Sequence, residues 1–291
     1  MTIRHLKIFI TVADCGKMNM AAKKLYISQP SVSQAIQELE KEYGIQLFDR
    51  LSQRLYITDN GKKLLSYARH IVDSYEEMDL MMKNAGEHPR IRVGASVSVG
   101  TCLIDKVITK LEEKNPKIEI RVVINNTSTI EKMLADSELD VGIVEGLITN
   151  LDMLQIPLCE DELVIVAGKQ HPFYLRTCIQ LQELQNTDFV AREDGSMVRN
   201  QYEQLLQNRG ITVNTKWNST NTEAIKNAVI AGKGIAILSG RLVEKEVESK
   251  ELRVIPVEDV KVERTIHLVY HKNKYVSEMM QLFIDTSRQT L

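Results

Sequence analysis

The stretch that most constrains this chain runs from Ser28 to Tyr43. Ser28-Gln29-Pro30-Ser31 opens a helix, because the Ser28 hydroxyl can cap free backbone N–H groups and Pro30 sits in the first turn, where its missing donor costs little. Val32, Ile36, Leu39 and Tyr43 follow at steps of four, three and four, which predicts one buried stripe. The other face carries Gln29, Ser31, Ser33, Gln34 and Gln37. Short polar side chains near a helix start reach base edges without holding the helix out of a major groove. That face is therefore either plain solvated helix or a surface that reads DNA, with Gln34 best placed to read a base.

The flanking residues favour DNA. Leu6, Phe9, Ile10 and Ala13 recur at helical spacing, and Gly16 ends that helix where a left-handed residue is convenient. A second short helix places Met20, Ala21 and Leu25 inward. Two short helices before a third is helix-turn-helix spacing. From Leu47 to Thr58 the pattern becomes a β-wing, with Leu55 and Ile57 inward and Arg54 and Tyr56 outward. Arg50 and Arg54 can then straddle a phosphate or enter the minor groove.

In these residues the chain resembles the LysR-type transcriptional regulators. Ala21-Ala22, Ser28-Gln29-Pro30-Ser31-Val32-Ser33-Gln34 with Ile36, Leu39 and Glu40, and Leu47-Phe48-Asp49-Arg50 leading to Ile57-Thr58 and Gly61 carry the resemblance. It implies a sequence-specific DNA-binding regulator governed by a small molecule. One departure stands out: the family has Gly-Ser and an aromatic residue before the second helix, and this chain has Gly16-Lys17-Met18. A phosphate contact there passes to Lys17.

No Gly or Pro interrupts the chain between Gly61 and Gly86, and Thr58 is placed to cap a long helix. Leu64, Ala68, Ile71, Tyr75, Met78 and Met82 alternate steps of four and three, a narrow heptad seam suited to a partner helix. The alternative is packing against its own domain. A two-fold dimer would set two reading helices on successive major-groove faces and favour a pseudo-palindromic promoter site in double-stranded DNA.

The formal net charge of -2 does not oppose this, because location outweighs the sum. Lys17, Lys23, Lys24, Arg50, Arg54, Lys62, Lys63 and Arg69 cluster early, while acidic excess gathers in stretches such as Glu131 to Asp140 and Glu244 to Glu251. Cys15, Cys102, Cys159 and Cys178 form no CxxC pair, so no zinc knuckle or disulfide framework is expected. No apolar run of about 20 residues is present, and Arg4, His5 and Lys7 interrupt the start, which predicts a cytoplasmic protein without a signal peptide or membrane contact.

Beyond Gly86-Glu87-His88-Pro89 short β-runs alternate with helices. Ile91 to Gly94, Ile118 to Ile124 and Val141 to Val144 read as strands around helices at Leu103 to Lys114 and Ile130 to Asp136, a βαβαβ unit. A second series includes Leu163 to Gly168, Phe189-Val190, Met197 to Asn208, Glu223 to Ala231 and Ile235 to Leu238; Thr265 to Tyr270 and a helix from about Val276 close the sheet. The fold class is α/β overall: a winged helix-turn-helix over residues 1–58, a dimerising linker helix over 59–88 and a two-lobed effector domain over 89–291. Lobe I takes about 90–162 and 265–291, and lobe II about 163–264.

Ligands of open α/β sheets bind at the carboxyl ends of strands. Three such ends are rich in small polar residues: Ala95 to Thr101, Asn125 to Ser128, and Gly195-Ser196-Met197. Each alone is an ordinary helix cap, and together they suggest a polar cleft. Here Glu138 to Val144 and Ala228 to Ala236 resemble the family's effector domain, itself similar to periplasmic binding proteins. The resemblance places Ser96, Ser98, Val99, Thr127, Ser128, Glu145 and Ser196 at a small-molecule effector, and implies a homodimer that pairs into a homotetramer and alters access for RNA polymerase. Gly94-Ala95-Ser96 with Val144-Glu145-Gly146 looks most like the carbon-fixation and sulfur-assimilation subgroup, which suggests a small anionic metabolite.

An enzyme is one alternative. No GxSxG, GxxxxGK or HExxH motif occurs, the histidines lack metal-ligand spacing, and no catalytic residue, metal or cofactor is expected. Glu145 could act as a base, though a hydrogen-bonding role fits better. Cys102, near an expected helix start, is either a redox sensor or a buried thiol. An architectural DNA binder that takes no ligand is the second alternative.

Overall fold

The computed structural model describes residues 1–51, 54–83, 89–146, 148–258 and 260–291. The chain divides into two compact units: residues 1–88 with 135–138 and 272–275, and residues 89–134, 139–271 and 276–291.

In the first unit, α1 (Ile3–Cys15) starts at Thr2, whose hydroxyl accepts the His5 N–H, and ends at Gly16 with φ 63°. The short α2 (Met18–Leu25) ends on Tyr26, which holds φ 55°. α3 (Gln29–Tyr43) has Ser28 as its cap, with Oγ accepting the Ser31 N–H, and stops at Gly44. β1 (Phe48–Leu51) and β2 (Arg54–Ile57) pair antiparallel as the wing. Thr58 Oγ1 then accepts the Gly61 N–H at 3.0 Å and starts α4 (Asp59–Lys83). Leu6, Phe9, Val12, Ala21, Val32, Ile36, Leu39 and Leu47 form the core. Glu40 turns inward, where its Oε1 accepts the N–H groups of Leu47 and Phe48 and fastens the wing to α3.

Two expected core residues are not in it. Met20 is 52% exposed and Tyr43 46% exposed. Tyr43 falls on the face of α3 that periodicity marks, whereas Met20 lies on the side of α2 away from Ala22 and Leu25, and the inward placement expected for it is wrong. Tyr43 is in the last helical turn, and its hydroxyl reaches the sulfur of Met1 at 3.2 Å.

The second unit runs β3 (Arg90–Ser96), α5 (Val97–Cys102), α6 (Ile104–Lys114), β4 (Glu119–Asn125), α7 (Thr127–Ala135) and β5 (Val141–Glu145). The long β6 (Met153–Gly168) follows, then β7 (Asp188–Arg192), α8 (Met197–Asn208), β8 (Asn214–Ser219) and α9 (Thr222–Ile230). It ends with β9 (Ala236–Ser239), α10 (Gly240–Glu248), β10 (Leu252–Ile255), β11 (Val262–His271) and α11 (Glu278–Thr290). The main sheet has the order β10-β6-β11-β5-β3-β4, with β9 also on β6, and β7 pairs with β8 separately. β3 is parallel to β4 and β5, as βαβ crossovers require, whereas β11 runs antiparallel to β5 and β6.

Apolar side chains gather on either side of this frame. Ile91, Val93, Val107, Leu111, Ile143, Leu268 and Phe283 belong to one core. Leu181, Leu184, Phe189, Val198, Tyr202, Leu206 and Ile237 belong to a second, and Ile225, Val229, Leu238 and Leu242 to a third. The strand expected to begin at Leu163 begins ten residues earlier, at Met153. The acidic run Glu160-Asp161-Glu162 hides its first half from a hydrophobicity reading, and the position 162/163 expected to separate the lobes lies inside this continuous strand.

Candidate functional site

In the first unit, the buried stripe of α3 orients its opposite face. Val32, Ile36 and Leu39 are at most 1% exposed, which turns Gln29, Gln34 and Gln37 to solvent and leaves Ser31 and Ser33 half-buried. Gln34 is not loose: its amide donates to Glu38 Oε1 at 2.8 Å, and the other oxygen of Glu38 lies 3.3 Å from His5 Nε2. Gln29 sits over the sulfur of Met18 at 3.8 Å. Lys17, the residue before α2, is exposed and makes no side-chain cap. In the wing Leu55 and Ile57 alternate inward while Arg54 and Tyr56 face out. Arg50 falls within β1, and its side chain lies outside the described residues.

The heptad seam of α4 divides. Ala68 is fully buried in the core of its own unit, and Leu64 packs beside it. These two positions are packed within their own unit, where α1 and β2 lie against α4. Ile71, Tyr75, Met78 and Met82 are 42%, 41%, 49% and 71% exposed, and Tyr67, at 54%, extends their stripe toward the helix start. Large apolar side chains in such a row lose about 25 cal/mol per Å² of potential burial while they face water.

In the second unit the expected polar residues converge. Ser96 ends β3 and stands in register with Asn125 of β4, which brings it near the start of α7. Ser98 Oγ donates to Glu145 Oε1 at 3.0 Å. Ser128 Oγ donates to the Gly195 carbonyl at 3.2 Å, joining the start of α7 to the turn before α8. A Cβ on Gly146 would meet Met197 at 2.6 Å, so the end of β5 abuts the start of α8. Ser96, Ser98, Val99, Thr127, Glu145 and Ser196 are all at most 4% exposed, and Ser128 is exposed. Neither Ser96 nor Ser196 caps its helix with its side chain.

The sequence reading named Glu145 but missed Asp161 and Arg264, the other two charges that organise this cluster. Arg264, 4% exposed, donates through Nε to Asp161 Oδ2 at 2.8 Å, and its Nη2 lies 2.7 Å from the same oxygen. Its Nη1 is 3.6 Å from Glu145 Oε1, and Nη2 reaches Ser98 Oγ at 3.4 Å. Ser239 donates to Asp161 Oδ1 at 2.8 Å. Glu145 Oε2, Arg264 Nη1 and Ser96 Oγ are buried with no hydrogen-bond partner among the described residues. One guanidinium thus faces two carboxylates, and the unmet atoms include both an acceptor and donors. Buried polar atoms left unpaired cost about 1–3 kcal/mol each, which a bound polar molecule recovers. A separate cavity of about 470 Å³, lined by Leu163, Ile165, Leu181, Leu184, Tyr202 and Val262, touches none of the expected effector residues.

Cys102 is the last residue of α5 and, as expected, lies close to a helix start, two residues before Ile104 opens α6. Burial pushes its thiol above the ordinary cysteine value, with Glu244 adding to the shift, and Sγ contacts the Arg241 carbonyl at 3.6 Å. Of the two readings of this residue, its surroundings favour the unreactive thiol.

A winged helix-turn-helix carried on the same chain as an α/β unit with a buried polar cluster defines a transcription regulator with an effector-binding domain. The model of the bacterial regulatory helix-turn-helix of the lysR family matches residues 3–62, and that of the LysR substrate binding domain matches residues 84–291. The chain belongs to the LysR family of transcriptional regulators. It is 32% identical over 292 residues to a probable RuBisCO transcriptional regulator of Phaeodactylum tricornutum, covering 97% of this chain and 94% of that one. It is 29% identical to the HTH-type regulator YeiE of Escherichia coli, covering 98% and 96%. Among solved structures, a full-length OxyR variant of Pseudomonas aeruginosa aligns with a TM-score of 0.69 at 22% identity, covering 100% and 95%. The regulatory domain of Synechocystis CcmR in complex with 2-PG gives 0.65 at 24% identity, covering 69% of this chain and 97% of that one. Among the described residues no helix is long and apolar enough to cross a membrane.

Proposed function

We propose that this regulator acts as a cytoplasmic homodimer that reads a pseudo-palindromic promoter site through α3. Gln34 reads a base edge, Gln29, Ser31 and Ser33 line the groove, and Lys17, Arg50 and Arg54 meet phosphates or the minor groove. The observation that carries this reading is the division of α3: Val32, Ile36 and Leu39 are buried, and the glutamine face is open to solvent. The exposed row Tyr67, Ile71, Tyr75, Met78 and Met82 on α4 supports the dimer, because a second helix would cover it. Residues 1–58, 59–88 and 89–291 are the DNA-binding, dimerising and sensing segments. Pairing of dimers into tetramers and an effect on access for RNA polymerase extend the same reading.

The sensor takes a small metabolite at Ser96, Ser98, Val99, Thr127, Ser128, Glu145, Ser196 and Arg264. Because Arg264 already faces Asp161 and Glu145, a bare anion would find no uncommitted cation there. A small anion that also carries a hydroxyl suits the cluster better, since the hydroxyl can donate to Glu145 Oε2 while its oxygens accept from Ser96 and Arg264. The cleft binds and does not catalyse, as Glu145 is engaged by Ser98 and Arg264. Footprinting of the DNA flanking its own gene tests the regulator reading, with two protected half-sites about 34–36 Å apart expected. Calorimetric titration with glycolate, phosphoglycolate, sulfate and sulfite tests the sensor. Tighter binding of sulfate or phosphoglycolate, neither of which carries an alcohol hydroxyl, than of glycolate would reject the ligand class.

A further inference from the structure

The cavity of about 470 Å³ in the second unit lies outside the polar cluster. Its wall is set by strand register: Leu163 of β6 stands opposite Val262 of β11, and Ile165 stands between Ile237 of β9 and Ile255 of β10. Cross-strand partners share a face, so these five side chains present one apolar surface. Valine and isoleucine are stiff at χ1 and do not swing inward to fill a gap. From α8, Tyr202 and Leu205 complete the lining. Protein interiors leave few voids larger than a water molecule, whereas small-molecule sites occupy about 300–1,000 Å³. An apolar cavity of about 150 Å³ already holds benzene, so this one has room for two fused rings.

Among the described residues that line it, Glu162, Lys261 and Tyr202 carry polar side chains, and they limit what can enter. Glu162 and Lys261 are exposed at the rim, where the Lys261 ammonium pairs with Glu263. Two carboxylates flank that one ammonium, so the rim offers an incoming anion no uncompensated positive charge. Tyr202 lies deeper. The residue is 2% exposed, its ring stacks on Phe189 with centroids 5.9 Å apart, and its hydroxyl is buried with no hydrogen-bond partner among the described residues. Burial pushes the Tyr202 pKa up to about 12, with Glu203 adding to the shift, so the hydroxyl keeps its proton and remains a donor. A buried donor without an acceptor is costly, and a ligand that brings one recovers that cost. A charged ligand would lose its hydration among apolar walls without gaining a partner.

We propose that this cavity is a second ligand site, taking an uncharged, largely apolar molecule of about two rings whose single carbonyl or hydroxyl oxygen accepts from Tyr202. Such an occupant differs in kind from the small hydroxyl-bearing anion proposed for the polar cluster, so either site can fail without the other. Fluorescence titration of the full chain with 2-naphthol, naphthalene and 2-naphthoate tests it. 2-Naphthol should bind with Kd below about 100 μM, and 2-naphthoate about tenfold more weakly or not at all. Tyr202→Phe keeps the ring and its stacking on Phe189; it should weaken 2-naphthol about tenfold and leave naphthalene within about twofold. Leu205→Trp fills the cavity and should abolish binding of both, with 2-naphthol no longer raising the melting temperature. If Leu205→Trp does not fold, the Tyr202→Phe contrast decides. Failure of 2-naphthol to bind, equal or tighter binding of 2-naphthoate, undiminished binding to folded Leu205→Trp, or a Tyr202→Phe change that affects 2-naphthol and naphthalene alike overturns the proposal. So does 2-naphthol binding that weakens as protein concentration rises, which would mean that a second copy of the chain covers this face.

Discussion

Replacing Gln34 with Ala removes the side chain placed at the centre of the reading face while leaving the α3 core untouched, because Gln34 is exposed and hydrogen-bonds Glu38 on the same face. A bidentate amide-to-base contact contributes about 1–3 kcal/mol of discrimination. In the free protein the amide already donates to Glu38 at 2.8 Å, and giving up that solvent-exposed bond offsets about 0.5 kcal/mol. The net loss is then about 1.5 kcal/mol per half-site and about 3 kcal/mol for a symmetric dimer, or roughly 150-fold in Kd. Fluorescence anisotropy with the footprinted promoter fragment and a scrambled fragment of equal length measures it, at one fixed salt concentration because phosphate contacts dominate the absolute affinity. Scrambled DNA should bind within about twofold of wild type, since phosphate contacts are unaltered. Equal losses on both fragments would show that Gln34 reads no base. Arg54→Ala serves as the contrast: it should weaken both fragments and make the dependence of log Kd on log salt shallower by about one.

Three further outcomes follow from individual environments. Tyr26 is 96% exposed at φ 55°, so Tyr26→Asn, which tolerates that conformation, should stabilise the chain by about 0.5–1 kcal/mol in urea unfolding; a loss of stability would mean the ring has a contact that its exposure denies. Arg264→Met strands two buried carboxylates and should cost about 3–5 kcal/mol, part of it recovered by adding Asp161→Asn; no recovery would show that charge burial is not the cause. Burial lowers the His171 pKa below its usual 6.5, with Asp188 opposing, while Nδ1 accepts the Phe173 N–H. The unfolded chain therefore takes up the proton first, so this stability is complete above pH 6.5 and is lost as pH falls through the folded-state value. Between pH 7.5 and 5.5 wild type should lose more stability than His171→Asn, and an equal loss would refute the assignment.

How much of this was readable in the sequence depends on how local each signal is. Caps are local, and Ser28, Thr58 and Gly16 each start or stop a helix where their residue types say they should. Burial depends on what lies opposite, so Tyr43 falls on the right face of α3 and still remains exposed. The seam of α4 shows the same limit: spacing of four and three marks a packing stripe but not its owner. Ala68 is buried by its own unit, whereas Ile71 to Met82 are left uncovered.

The polar cluster was legible in its small hydroxyl residues and in Glu145, and not in Asp161 or Arg264. Ser96, Ser98, Thr127 and Ser196 announce themselves as small polar residues at strand ends, a pattern written within a few positions. Asp161 and Arg264 are separated by 103 positions, and each sits among polar neighbours, Asp161 between Glu160 and Glu162 and Arg264 between Glu263 and Thr265, so neither stands out as a buried charge. Only the antiparallel pairing of β6 with β11 sets Arg264 opposite Asp161, and only the pairing of β11 with β5 brings Glu145 opposite Ile266. Either charge buried alone would cost several kcal/mol, so the two strands are compatible only in the register that joins them. The same register that neutralises Arg264 therefore builds the polar cluster. A one-residue slip of β11 would send Arg264 to the other face of the sheet, which makes the cluster a consequence of strand pairing that no single segment encodes.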